Sequence, residues 1–391
     1  VVCLWGLGNA DSGDTRYIFF MKAPTSPAFE NITMNQQNPN SFNPTSMSKI
    51  MSALGFPAKS TPGTTKMQVG LTFQWELLDC FLSPHTCTTA QTIEGIQNFL
   101  NGAVSANIPV EITLDPVQFY YESNLWNWWD PTLPGFNVTN VENVEWIGWS
   151  PENATMIAWR NWGSQFRMPT PQPNLGSPAL IKATNAALTQ IIDAVRTWYE
   201  AQTISAQKLL VGIKLGEEVD VGFNYYYYPN GNAIYKANPH NATGDPDFAK
   251  YGPKWSKGLS GGLPAQGYNM LQTLGIRNSG GPPTRQEITA GIQHYYSNII
   301  SACVRAWPQL ATNGLLGTHG GGVSDPVLIE WSSAMVPPAT PGYSFYFGPG
   351  QFKAKGGPLG QPGLRIALET YDPEHLRFTV AESACFGCTT T

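Results

Sequence analysis

The stretch that decides the fold runs from residue 67 to residue 115. It holds two apolar runs, MQVGLTFQWE (67–76) and IPVEITLD (108–115), separated by a segment at 89–106. In that segment the apolar residues recur at spacings of three and four, which predicts an amphipathic helix that Thr92 is placed to cap. A strand, a helix and a second strand in this order indicate a βαβ unit with parallel strands.

The same alternation of strands and helices continues on both sides of this unit. Further strands are predicted at 17–21, 209–215, 315–319, 327–331, 364–368 and 378–381, and further helices at 44–56, 178–202 and 284–307. Eight strand–helix steps in one domain of this length are typical of a (β/α)8 TIM barrel, which usually has about 250 residues before insertions. The last three helices are poorly marked, so a degenerate barrel is the alternative. No linker or repeat divides the chain, which predicts a single domain over 1–391.

Two long segments interrupt the alternation, at about 117–178 and 222–283. The first contains seven of the 13 tryptophans among Pro, Asn and Gly residues. This first segment is too long for an ordinary βα connection, and long irregular insertions in compact domains tend to carry function. We therefore expect it to overhang the carboxylates at the strand ends.

The composition excludes several classes of protein. Charged residues make up 13% of the chain, about half of the usual roughly 25%. Aromatic residues reach 12%, which argues against disorder. A net charge of −5 without a run of Lys and Arg argues against a nucleic-acid partner. No run approaches the ~18 apolar residues of a membrane span.

Cysteines and glycosylation sequons indicate a secreted glycoprotein. An even set of six cysteines predicts disulfides, with a zinc site or a redox CxxC as the weaker alternatives. The cysteines are Cys3, Cys80, Cys87, Cys303, Cys385 and Cys388. Asn-x-Thr sequons lie at Asn31, Asn137, Asn153 and Asn241. The chain opens at Val1 without a Met or a basic segment, from which we expect a mature form whose signal peptide has been removed.

Polar residues follow the predicted strands at their carboxyl ends, where the active site of such a barrel lies. They are Glu76, Asp115, Glu217, Glu218, His319 and Glu330, with Glu369 and Glu382 on the weaker strands. Hydrolysis of a glycosidic bond needs one carboxylic acid to protonate the leaving oxygen and a second carboxylate as nucleophile or base. Glu218 and Glu330 are the best pair. The alternative is that each carboxylate caps a helix or pairs with an Arg.

The motifs Leu215-Gly-Glu-Glu218 and Leu328-Ile-Glu-Trp331 resemble those of retaining glycoside hydrolases of the large (β/α)8 superfamily. In that family the acid/base Glu ends strand four, often in a Gly-Asn-Glu triplet, and the nucleophile Glu ends strand seven before an aromatic residue. The resemblance implies Glu218 as acid/base and Glu330 as nucleophile. Glu217 stands where the family has Asn. Either Glu217 takes over the sugar contact of that Asn, or Glu217 is itself the acid, or the site has lost activity.

Aromatic residues near these motifs are candidates for binding sugar, because flat rings stack on the apolar faces of sugars. They are Trp126, Trp128, Trp129, Tyr226, Tyr228 and Trp331. The alternative for the tryptophans is ordinary core packing. His319 either orients a carboxylate or is structural.

Other chemistries lack their motifs. The glycines after His319 lack the Walker spacing and its Lys, Ser332 lacks a nucleophile elbow, and the five histidines are too dispersed for a metal centre. The sequence thus predicts a secreted glycoside hydrolase that uses no cofactor and no metal, and whose partner is an oligo- or polysaccharide. The alternative is a non-catalytic carbohydrate-binding or extracellular structural glycoprotein on a hydrolase-like barrel. A disulfide-rich adhesion domain is disfavoured because the cysteines are sparse.

Overall fold

The computed structural model describes twelve segments of the chain. They are 16–22, 34–53, 67–78, 88–116, 122–156, 159–161, 165–167, 170–216, 219, 266–320, 340–346 and 378–382. Among these residues, no helix combines the length and the apolar character needed to cross a membrane.

The described chain is a mixed α/β structure built on a parallel sheet. The strands are β1 (Arg16–Lys22), β2 (Met67–Glu76), β3 (Val110–Asp115), β4 (Trp159–Asn161), β5 (Gln165–Arg167), β6 (Leu210–Leu215), β7 (Leu316–Gly320), β8 (Thr340–Tyr346) and β9 (Phe378–Glu382). The strands β4 and β5 form a separate antiparallel pair. The other seven pair in parallel in the order β1-β2-β3-β6-β7-β8-β9, and β9 pairs back to β1, so the sheet closes on itself as a ring.

Helices follow the strands along the chain. They are α1 (Pro44–Ala53), α2 (Thr89–Ala106), α3 (Ser123–Trp126), α4 (Pro178–Glu200), α5 (Ile204–Gln207), α6 (Tyr268–Thr273), α7 (Arg285–Ala306) and α8 (Gln309–Thr312). Helix α2 begins with a capping box in which the Thr88 hydroxyl accepts the Gln91 N–H. The expectation that Thr92 caps α2 is therefore wrong. Thr92 is buried and accepts a hydrogen bond from Gln36 Nε2 instead.

The outer face of the ring is apolar and packs against the helices. On β2 this face carries Leu71, Phe73 and Trp75, and all three are buried in one large core cluster with residues of α1, α2, α4 and α7. Phe42 packs edge-on against Phe73 and tilted against Trp75, with ring centroids 4.7 Å and 4.5 Å apart. The burial of these large rings stabilises the packing of β2 against the helices.

The inner face of the ring has an apolar part and a polar part. Phe19, Met21 and Val211 form a small apolar cluster of their own, distinct from the outer core. Towards the carboxyl ends of β2, β3 and β6, the inward residues are polar and buried. They are Thr72, Gln74, Glu76, Glu111, Thr113, Asp115 and Lys214.

The predicted α/β class with a parallel sheet is confirmed. The strands and helices predicted before residue 220 are present with ends shifted by a few residues, and so are the helix at 284–307 and the strands at 315–319 and 378–381. Strand β8 was missed, since TPGYSFY contains Pro and Gly, which are uncommon in strands. The strands predicted at 327–331 and 364–368 lie outside the described residues. The single-domain organisation stays a prediction.

The tight approach of β1, β2 and β3 at Gly70 gives a test of the ring. A Cβ at Gly70 would overlap the carbonyl oxygen of Pro109 and lie 2.6 Å from Phe19 Cε1. We expect Gly70→Ala to lower the free energy of unfolding by about 1–3 kcal/mol in urea titrations, because the added methyl forces the strands apart. Gly281→Ala is the control, since a Cβ there meets no atom within 4 Å. An equal effect of both changes would contradict this packing.

Candidate active site

A layer of hydrogen-bonded polar side chains lies inside the ring between β2, β3 and β6. Glu111 Oε2 accepts a hydrogen bond of 2.9 Å from the Thr113 hydroxyl, which lies 3.2 Å from the Thr72 hydroxyl. Glu111 Oε1 accepts the backbone N–H of Lys214 at 2.8 Å. Glu111, Thr113 and Lys214 have no solvent exposure. The layer therefore joins three adjacent strands through buried polar contacts.

The Glu111 carboxyl is poised to titrate near neutral pH. Burial raises its pKa to about 7, although the charge of Lys214 and the hydrogen bonds from Thr72, Thr113 and the Lys214 backbone lower it. Desolvation of the charged form is the largest of these effects. Within the ring, the pKa of the Glu111 carboxyl therefore lies near neutral pH.

A second polar layer lies at the carboxyl ends of β2 and β3. Glu76 and Asp115 are direct neighbours in the parallel register, and both are buried. Asp115 Oδ2 accepts a hydrogen bond of 2.8 Å from Gln74 Nε2. The backbone of Glu76 is held by Gln36, whose amide donates to the Glu76 carbonyl and accepts the Glu76 N–H. Two carboxyl side chains therefore stand together at the end of the ring where the sequence predicts the site.

Strand β6 ends beside this pair in a turn that needs glycine. Gly216 has φ +82° and its N–H donates to the Leu114 carbonyl at 2.8 Å. A Cβ there would lie 2.7 Å from the Tyr296 hydroxyl oxygen and 2.8 Å from Val219 Cγ2. The next two residues in the chain are Glu217 and Glu218. The candidate acid residues therefore follow directly from the end of the ring that carries Glu76 and Asp115.

Several predicted site residues lie outside the described residues. They are Glu217, Glu218, Glu330, Tyr226, Tyr228 and Trp331. His319 lies in β7, paired in register with Gly342. Strand β7 pairs directly with β8. Of the predicted carboxylates, the structure brings Glu76 and Asp115 together.

The tryptophans of the first insertion divide into two groups. Trp126 and Trp146 are buried, with 6% and 0% exposure, and pack in the core, so neither ring offers an open face. Trp128 and Trp129 are half-buried and meet edge to face with centroids 4.7 Å apart. The sugar-stacking role predicted for Trp126 thus gives way to core packing, and it stays a prediction for Trp128 and Trp129.

Glu145 joins the two insertions. Its carboxylate accepts the N–H of Gly267 at 2.8 Å and the N–H of Met270 at 3.2 Å, at the start of α6. In the opposite direction, the Asn269 side chain of α6 donates hydrogen bonds to the carbonyls of Glu142 and Val144 in the first insertion. Burial raises the pKa of Glu145 to about 8 against the opposing effect of these backbone N–H groups. The insertion after β3 is therefore bonded to the segment that precedes α7.

The sequence reasoning missed Glu111, Lys214 and Glu145. For Glu111 the signal was present, because polar residues alternate with apolar ones in EITLD just as they do in LTFQWE. A closed ring buries both faces of such a strand, so the alternating polar residues become its interior. Glu145 has no comparable signal, since its partners lie more than 100 residues away.

The structure shows Cys303 as a free thiol, whereas the sequence predicts that it forms a disulfide. It is a free, buried thiol on α7, and burial raises its pKa to about 12. The disulfide predicted for Cys303 is wrong, because the side chain is enclosed in the apolar core. The other five cysteines lie outside the described residues.

Within the described segments, no group of three or more His, Cys, Asp or Glu side chains is arranged to hold a metal ion. A scan against protein-family models found no matching family, and a search of curated proteins found no matching relative. The function therefore has to be argued from the site itself.

The pKa of Glu111 predicts a pH dependence of stability. Between about pH 5 and 7 the folded protein keeps a proton that the unfolded chain releases, so the free energy of unfolding falls as pH rises through this window. Glu111→Gln should make this fall smaller, by at most about 1.4 kcal/mol per pH unit. Urea titrations across the window measure it.

Two comparisons make this measurement specific. Glu145, with a raised pKa of about 8, adds a similar fall that is present in both proteins, so the difference between them isolates Glu111. Glu94→Gln, on the exposed face of α2 and outside the ring, is the control for the loss of a carboxyl group. Identical slopes for the parent and Glu111→Gln would show that Glu111 does not hold its proton in the folded state.

Proposed function

We propose that the protein is a secreted glycoside hydrolase that cleaves oligo- or polysaccharides with retention of configuration, on a degenerate (β/α)8-type barrel. The observation that carries the proposal is the pair Glu76 and Asp115 at the carboxyl end of the parallel ring, one strand away from the turn that leads into Glu217 and Glu218. In barrels of this kind the carboxyl end of the strands is the catalytic end.

In this proposal Glu218 protonates the glycosidic oxygen as the bond to the leaving group breaks. Glu330 attacks the anomeric carbon and forms a glycosyl-enzyme, which water then hydrolyses while Glu218 acts as base. Such a pair requires carboxyl groups about 5–5.5 Å apart. Glu330 lies in the chain between β7 and β8.

Glu76 and Asp115 bind hydroxyl groups of the sugar in this scheme. The hydrogen bond from Gln74 fixes the orientation of the Asp115 carboxylate at this end of the ring. Trp128 and Trp129 offer the partly exposed rings of the insertion after β3 for stacking on sugar faces. Burial of Glu111 and Lys214 beneath this layer holds the strands at fixed spacing.

Substitution of the two glutamates tests the mechanism. On a panel of polysaccharides, Glu218→Gln and Glu330→Gln should each reduce turnover about 10²–10⁴-fold, because each removes one proton-transfer or nucleophilic role. Binding of the substrate should be retained in both. Glu217→Gln tests whether Glu217 or Glu218 is the acid. If turnover falls further in Glu217→Gln than in Glu218→Gln, Glu217 is the acid.

The exposed Glu94→Gln variant serves as the control and should keep full activity. Absence of turnover by the parent protein across the panel, with binding of sugar intact, would replace the enzyme with the non-catalytic carbohydrate-binding alternative. Inversion of the anomeric configuration, seen by proton NMR of the first product, would refute the double displacement.

A further inference from the structure

Two of the four sequons fall on described residues, and their local structures differ. Asn137 lies in the exposed stretch 131–139 of the first insertion. Asn153 lies at the end of a short 3-10 helix, Pro151–Asn153, and is half-buried. A glycan on an asparagine needs free space around Nδ2, so the two sites are unequal as acceptors that the folded chain accommodates.

The Asn137 side chain leaves Nδ2 open to solvent. Its Oδ1 accepts both the Thr139 N–H, at 3.0 Å, and the Thr139 hydroxyl, at 2.9 Å. These bonds close an Asx turn that fixes the carboxamide by its oxygen. Among the described residues Nδ2 has no hydrogen-bond acceptor, so a sugar attached there displaces no contact of the fold.

The Asn153 sequon is turned into the protein. Its Cγ and Nδ2 pack against Gly148, where an added Cβ would lie 2.9 Å from Nδ2. The sequon's Thr155 is fully buried and its hydroxyl donates to the Glu145 carbonyl. A sugar on Asn153 would therefore push the Gly148 loop away from its packed position.

Three exposed apolar side chains lie within four residues of Asn137 in the sequence. Leu133, Phe136 and Val138 are 41%, 40% and 65% exposed and are named here the apolar tip. Their loop is fixed from below by two buried amides. Asn127 Nδ2 donates to the carbonyls of Asp130, Leu133 and Pro134, and Asn140 Nδ2 donates to those of Asn127 and Gly135. The loop is thus held in a shape that leaves the apolar tip outside the core.

We propose that Asn137 carries an N-linked glycan whose first sugars cover the apolar tip, and that Asn153 is unmodified in the folded protein. The proposal rests on the secretory route that is part of the proposed function. An attached glycan suits the apolar tip because Asn137 lies among its residues and because the side chains of Phe136 and Val138 beside it are exposed. Covering these side chains removes an exposed apolar surface of the kind that promotes association.

The modification needs a lipid-pyrophosphate-linked oligosaccharide as donor. A bond forms between Asn137 Nδ2 and the anomeric carbon of the first sugar. The bond between that carbon and the pyrophosphate oxygen breaks, the amide gives up one proton, and the lipid pyrophosphate leaves. No oxidation or reduction takes place.

Site mapping tests the first half of the proposal. The full chain is expressed behind a signal peptide in a eukaryotic host, and the secreted protein is treated with peptide N-glycosidase in water labelled with oxygen-18. Mass spectrometry of the peptides should show the label at Asn137 and none at Asn153. Label at Asn153, or none at Asn137, overturns the proposal. Because the signal peptide imposes the route, this result is independent of whether the protein hydrolyses a sugar.

Dye binding tests the second half. Asn137→Gln should raise the fluorescence of a dye that binds exposed apolar surface at least roughly two-fold, whereas Asn153→Gln should leave it unchanged. Native deglycosylation of the parent should give the same increase, since it leaves an aspartate that accepts the same hydrogen bonds from Thr139. Val138→Ser in the Asn137→Gln background should reduce the signal. Unchanged dye binding after removal of the glycan overturns the covering role.

Discussion

The hydrogen bond from the Lys214 backbone N–H to Glu111 Oε1 is the contact on which the interior of the ring depends. The pairing of β3 with β6 shifts register between Val110 and Glu111. At this irregularity a side-chain carboxylate accepts a strand N–H, at 2.8 Å. The Glu111 carboxylate thereby adds a side-chain hydrogen bond between β3 and β6 next to the irregularity. Burial of the Glu111 carboxyl group at this junction also raises its pKa.

This junction positions the residues above it. Because β3 and β6 stay in register from Glu111 to Leu114, fixing Glu111 against β6 also fixes Asp115 beside Gly216, which directly precedes Glu217 in the chain. The Gln74 bond to Asp115 and the Gln36 clamp on Glu76 hold the neighbouring strand in the same way. Rigid strands of this kind suit a site that has to hold carboxyl groups at fixed separations. The insertions are joined in turn through Glu145, which links segments that lie far apart in the chain.

Most of the fold was predicted from the local pattern of apolar residues in the sequence. The apolar runs and the helical spacings at 67–115 identified β2, α2 and β3 because tertiary packing agrees with those patterns there. Strand β8 was not predicted from the sequence, because it is stabilised by its pairing with β7 and β9 and not by a strand-like composition. At the site, the strand-end rule identified Glu76 and Asp115. It did not identify Glu111 or Glu145, whose roles come from contacts between distant segments, and it gave Cys303 a disulfide where the structure has core packing.

The central claim is that a glutamate of this chain attacks the sugar. Incubation with a set of 2-deoxy-2-fluoro glycosyl fluorides, followed by peptide mass mapping, measures this directly, because the fluorine slows hydrolysis of the glycosyl-enzyme and lets it accumulate. The account predicts one covalent sugar adduct on the peptide that contains Glu330, absent in Glu330→Gln. An adduct on another residue, or steady hydrolysis of these reagents without any adduct, would contradict it.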